Sequence, residues 1–166
     1  LLGSVFAGLA SDFSASSSVA DDMADDTTDD TDEEVSLRLE GTDLSDNLFG
    51  SPGDDSIIAR AGDDTVLGNE GDDLLKGGVG HDLLRGHDGD DLLKGGAGDD
   101  TLKGGDGDDT ISGGAGDDFA KGGDGNDHLS ADFGQDTLLG GAGSDVLIGS
   151  DLVDAGRAPD LLDGGA

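Results

Sequence analysis

The chain contains no cysteine, no tryptophan and no tyrosine, with two prolines and one methionine among 166 residues. Without cysteine there is no disulfide framework, no thiolate zinc site and no thiol nucleophile. Cations are also scarce, with 8 Lys and Arg against 40 Asp and Glu, a formal net charge of −32. Nucleic-acid binding is excluded, because affinity for phosphates needs a basic face. An anionic membrane surface would repel the repeats, so they are expected to make no direct membrane contact. Aromatics are 3% of the chain, all of them Phe, which is too few for an ordinary globular core. The length suits one domain. Low hydrophobicity with high net charge is by itself a signature of disorder, but the periodicity changes that reading.

Three parts follow one another. Residues 1–10 (LLGSVFAGLA) are apolar and too short to span a bilayer. They fit either the remnant of a signal or membrane segment or simply an apolar end. Residues 11–40 hold a Ser-rich run and then the acidic run Asp21–Glu34, with nine acids in fourteen residues. Like charges at that density keep a chain extended, so a disordered Ser/Asp-rich linker is expected. Residues 41–166 are repetitive.

From Gly41 the chain repeats every nine residues, and twelve units run to Ile148 without an insertion. One clear unit is Gly95-Gly96-Ala97-Gly98-Asp99-Asp100-Thr101-Leu102-Lys103. The sixth position is Asp in all twelve units, the fourth is Gly in eleven, and the eighth is Leu, Ile or Val in eleven. After Ile148 the register slips across residues 149–154. A degraded unit then resumes, with Asp160 and Leu162 in the sixth and eighth positions. The roll is therefore expected to be degraded and truncated after residue 148.

The pattern predicts a loop over the first six residues of each unit and a short strand over the last three. The aliphatic eighth residue faces inward and the ninth faces outward. Gly-rich loops leave carbonyls uncovered, and the Asp adds a carboxylate to them. Together these form a hard oxygen set suited to Ca²⁺. Two units make one coil of eighteen residues, so each loop lies beside the loop two units later. Twelve units give ten such facing pairs, and residues 41–148 hold 25 acids and 6 bases, a net of −19. Ten Ca²⁺ would nearly cancel that charge. Folding is expected to depend on the metal.

These units resemble the RTX, or hemolysin-type, calcium-binding repeat, GGxGxD followed by x-U-x. The resemblance implies an all-β fold, a right-handed parallel β-roll with two nonapeptides per turn and Ca²⁺ held between consecutive turns. It implies ligand pairs eighteen residues apart: Asp55 with Asp73, Asp64 with Asp82, Asp73 with Asp91, Asp82 with Asp100, and so on through Asp109, Asp118 and Asp136 to Asp127 with Asp145. Carbonyls would come from the loop glycines Gly77, Gly78, Gly80, Gly95, Gly96, Gly98, Gly104, Gly105, Gly107, Gly113, Gly114, Gly116, Gly122, Gly123 and Gly125. It also implies a secreted or cell-surface bacterial protein, exported through a one-step (type I) secretion system. Three units depart from the pattern: the first lacks Gly at its second and fourth positions, the third opens Ala59-Arg60, and the eleventh opens Ala131-Asp132-Phe133. Asp46 is expected to cap the roll, and the Arg60 guanidinium is expected to be unfavourable beside a cation.

No catalytic motif is present: there is no HExxH, GxSxG, P-loop or EF-hand spacing. His81, His87 and His128 occupy different repeat positions and form no cluster in the sequence. The paired acids such as Asp99-Asp100 recur in most units, as an active site would not, so the fifth-position Asp reads as an outer or solvated charge. The chain is expected to be non-enzymatic. The alternative is an accessory or secretion module of an extracellular enzyme (protease, lipase or polysaccharide-modifying), or of a toxin or adhesin, whose other domains lie elsewhere. The sequence does not identify a protein or glycan partner.

Overall fold

The computed structural model describes residues 35–149 and 160–165. The expectations for residues 1–34 and for the register slip at 150–159 lie outside the described residues. Among the described residues there is no helix, and so none long and apolar enough to cross a membrane.

Fourteen strands wind as a parallel β-solenoid: β1 (Arg38–Glu40), β2 (Asn47–Phe49), β3 (Ser56–Ala61), β4 (Thr65–Glu70), β5 (Leu74–Val79), β6 (Leu83–Asp88), β7 (Leu92–Ala97), β8 (Thr101–Asp106), β9 (Thr110–Ala115), β10 (Phe119–Asp124), β11 (His128–Phe133), β12 (Thr137–Ala142), β13 (Val146–Ile148) and β14 (Leu161–Gly165). Odd strands form one seven-stranded sheet and even strands form another. Every pair is parallel, and the register from β1 to β13 is eighteen residues, as in Leu75↔Leu93 and Leu84↔Leu102. The predicted coil of two units is therefore the structural repeat.

The core is one side chain deep. Ile57, Val66, Leu75, Leu84, Leu93 and Leu102 are fully buried between the sheets, as the eighth-position column predicts. Ala120 stands in the same column and is equally buried. Leu39 of β1 occupies the inward place as well, at 7% exposure, although it precedes the first counted unit. At the far end β14 pairs with β12 through Leu138↔Leu162, so the degraded unit adds a last strand to the even sheet.

The division of each unit differs from the sequence expectation. Most strands are six residues long, not three: β7 takes the seventh to ninth positions of one unit and the first to third of the next. Only the fourth to sixth positions turn the corner. The second glycine of a unit pairs in register with its equivalent, as Gly78 does with Gly96, and the first lies within the same strand, so both extend the sheet and do not loop out. The inward-facing set is consequently Asp at position six, an aliphatic at eight and Gly at one, alternating with outward residues as a strand requires.

Candidate metal centres

The sixth-position aspartates are interior residues. Asp64, Asp73, Asp91, Asp100, Asp109 and Asp127 are each exposed by no more than 2%. They stack in two columns, one at each edge of the solenoid where the sheets are joined. The first column follows the odd strands (Asp46, Asp64, Asp82, Asp100, Asp118, Asp136). The second follows the even strands (Asp55, Asp73, Asp91, Asp109, Asp127, Asp145).

Within a column each aspartate answers a backbone group of the coil before it. The Asp91 N–H donates to Asp109 Oδ1 at 3.0 Å, and the Asp100 N–H donates to Asp118 Oδ1 at 2.8 Å. The pattern runs on to Asp160, whose Oδ1 accepts from the Asp136 N–H at 3.1 Å. One carboxylate oxygen is thus used to hold coils together.

The other oxygen is not used. Oδ2 of every sixth-position aspartate from Asp64 to Asp145 is buried and accepts no well-formed hydrogen bond. A buried, unanswered carboxylate oxygen is costly. Repeated ten times in register, it marks a place for a positive group and is not an accident of packing. Eight of the ten Oδ2 atoms point over the first-position glycine of their own unit; Asp64 and Asp136 have Ala59 and Ala131 there instead. A Cβ on Gly77 would lie 2.8 Å from the Gly95 carbonyl oxygen and closer still to Asp82 Oδ2. A Cβ on Gly95 would lie 2.5 Å from the Gly113 carbonyl oxygen and likewise run into Asp100 Oδ2. The missing side chain leaves a cradle where a carboxylate oxygen and a main-chain carbonyl of the next coil converge.

Among the described residues no three His, Cys, Asp or Glu side chains converge as a metal cluster. Any ion here must be held by one or two carboxylates supplemented by carbonyls. That donor set is all oxygen, which suits a hard cation with flexible coordination.

Electrostatics point the same way. Without a counter-charge, burial pushes Asp91, Asp100 and Asp109 up to about 7, and Asp73 and Asp118 up to about 6. Neighbouring carboxylates in the same column, such as Asp127 beside Asp109, add to the shift, and the backbone hydrogen bonds oppose it. The column is a stack of like charges that the fold alone does not neutralise.

The ends differ from the middle. Asp46 Oδ2 accepts the Thr42 N–H, and Asp55 Oδ2 accepts the Ser51 N–H, both at 2.6 Å. The Asp55 Oδ1 accepts from Leu37 N–H at 2.5 Å. Both Asp55 oxygens are therefore occupied within the chain, which sets Asp55 apart from the ten later aspartates that were expected to act alike. The expected clash at Arg60 does not arise, because its guanidinium turns outward and pairs with Glu40 at 2.6 Å.

Sequence reasoning missed a second ladder. Fifth-position side chains are exposed, yet they accept amides from the following coil: the Asp90 N–H donates to Asp72 Oδ1 and the Asp108 N–H to Asp90 Oδ1, each at 2.8 Å. His81 replaces an acid in the equivalent row, where its Nδ1 accepts the Asp99 N–H at 2.8 Å. The signal was the recurring fifth-position Asp, which had been read as solvated charge.

No curated protein matches the chain closely. The model of the RTX calcium-binding nonapeptide repeat matches in four overlapping copies, over residues 40–75, 67–102, 85–120 and 112–147. These stretches cover both aspartate columns and the coils that carry them. The match spans the parallel solenoid from end to end of its regular coils, and the chain belongs to the RTX calcium-binding nonapeptide repeat family.

Proposed function

We propose that the chain is a non-enzymatic module whose roll folds when Ca²⁺ enters the two aspartate columns. The roll would span residues 38–166, since β1 already pairs with β3 ahead of the expected start at residue 41, and the acidic linker would precede it. Its ligands would be the sixth-position carboxylates from Asp64 to Asp145, acting in pairs eighteen residues apart with first-position glycine carbonyls. The observation that carries this reading is the row of buried, unanswered Oδ2 atoms over glycine cradles. Calcium supplies the positive charge that this row needs. The chain supplies the rest: Oδ1 holds the neighbouring coil, glycine gives space, and the aliphatic column keeps water out. These ten aspartates make eight such pairs, four in each column, which sets the capacity at about eight ions, below the ten facing pairs counted over all twelve units.

Such a protein belongs where calcium is plentiful, and we place it outside the bacterial cell, secreted or on its surface. Far-UV circular dichroism during a Ca²⁺ titration, with Mg²⁺ as control and calorimetry for stoichiometry, tests the proposal. A cooperative gain of β signal near millimolar Ca²⁺, absent with Mg²⁺, is expected. A chain still unfolded at saturating Ca²⁺ overturns it.

A further inference from the structure

The two aspartate columns are not chemically equal. At the third position the second column is acidic through its middle, between Pro52 and Ala142 at its ends. Glu70, Asp88, Asp106 and Asp124 stand side by side in register at the ends of the even strands. The same place in the first column is apolar after Asp43: Ala61, Val79, Ala97, Ala115 and Phe133 are likewise aligned. Both rows are exposed, apart from the half-buried Ala61, so neither is there to fill the core.

Other differences fall on the same side. The first position is Gly throughout the second column, whereas Ala59 and Ala131 interrupt the first. Both alanines are fully buried, and their methyl groups occupy the inward place that glycine leaves open beneath the carboxylate elsewhere. Leu44, the one break in the fourth-position glycines, also lies in the first column. His81 puts an imidazole there in place of an acid.

We infer that the solenoid carries two classes of calcium site, and that the second column, through Asp73, Asp91, Asp109 and Asp127, loads before the first. This rests on the calcium reading proposed above. The buried Oδ2 atoms are present in both columns, so both hold ions. What differs is the net field around them: Arg85, Lys103 and Lys121 line the same cleft as Asp88, Asp106 and Asp124, but the odd strands carry Arg60, Lys76 and Lys94 with no third-position acid beside them. A row of carboxylates three residues ahead of each ligand attracts a divalent cation, and a row of alanines does not. The third-position acids therefore set the order of loading without themselves being ligands.

Residue-resolved NMR of the ¹⁵N-labelled full chain during a Ca²⁺ titration at fixed ionic strength tests this. The amides of Asp91 and Asp109 are expected to reach their bound positions at roughly threefold to tenfold lower free Ca²⁺ than those of Asp82 and Asp100. A transplant variant carrying Ala97→Asp, Ala115→Asp, Asp106→Ala and Asp124→Ala, all at exposed positions, is expected to close or reverse that gap. Both columns responding together in the native chain, or the first responding earlier, overturns the inference while leaving calcium-driven folding intact. A gap that the transplant leaves unchanged overturns the role given to the third position. A chain whose amides ignore Ca²⁺ altogether refutes the underlying function instead.

Discussion

Gly104 and the carboxylate of Asp109 share one space. A methyl group on Gly104 would run into Oδ2, Cγ and Cβ of that aspartate. The same relation recurs along both columns, and it explains why the first and sixth positions of a unit vary so little.

Gly104→Ala is expected to push the carboxylate from its place and to cost about 1–3 kcal/mol, as overpacking does. The Ca²⁺ midpoint of folding should rise accordingly. Gly164→Ala is the matched control, since a Cβ there meets nothing within 4 Å. It should leave the midpoint within the range of a neutral surface change.

Asp109→Asn and Asp109→Ala separate the two jobs of one carboxylate. Asn retains an oxygen to accept the Asp91 N–H but loses the charge. It is expected to remove about one bound ion in calorimetry, with the coil still closed. Ala also strands a buried amide, so it should lose a further 1–3 kcal/mol, roughly, in denaturant unfolding of the calcium-loaded protein. Equal losses for the two variants would contradict the ladder.

Acid should partly replace calcium. The buried aspartates stand at about 6 to 7 in the metal-free fold, against an ordinary value of 3.8. Between those limits the folded chain binds more protons than the unfolded one, so its stability falls as pH rises. Lowering the pH of the calcium-free protein from 7.5 toward 4.5 is expected to raise β signal in circular dichroism. A loss of signal over that range would show the carboxylates to be solvated.

Left-handed backbone is required at the second position, and four units provide it without glycine. Asn69 and His87 have φ of 92° and 93°. His87→Gly is expected to stabilise the calcium-loaded roll by about 1 kcal/mol in thermal unfolding, and Asn69→Gly by less, because it loses the bond from Asn69 Nδ2 to the Gly50 carbonyl at 2.9 Å. Arg60→Gly should gain less, because it also loses the pair with Glu40. A lower melting temperature for His87→Gly would mean that its side chain, not its backbone, matters.

Much of this was legible in the sequence. The unbroken Asp column, the aliphatic column and the nine-residue period were enough for a coil of eighteen residues with an interior one side chain wide. The inward turn of Asp and of the first glycine was not legible. An acidic residue reads as exposed, and a glycine pair reads as a loop. Only the parallel register shows that Gly78 and Gly96 belong to a sheet. Counting by nine also averaged the two columns together, which hid the alternation of Ala97 with Asp106 at the third position.

That alternation fixes how such a chain can lengthen or shorten. Removing eighteen residues from the middle brings like coils together, and both amide ladders close again in register. Removing nine would send every later unit to the opposite sheet, placing Asp106 and Asp124 in line with Ala61 and Val79. The nonapeptide is the unit that the eye counts, but duplication or loss leaves this solenoid intact only in whole coils.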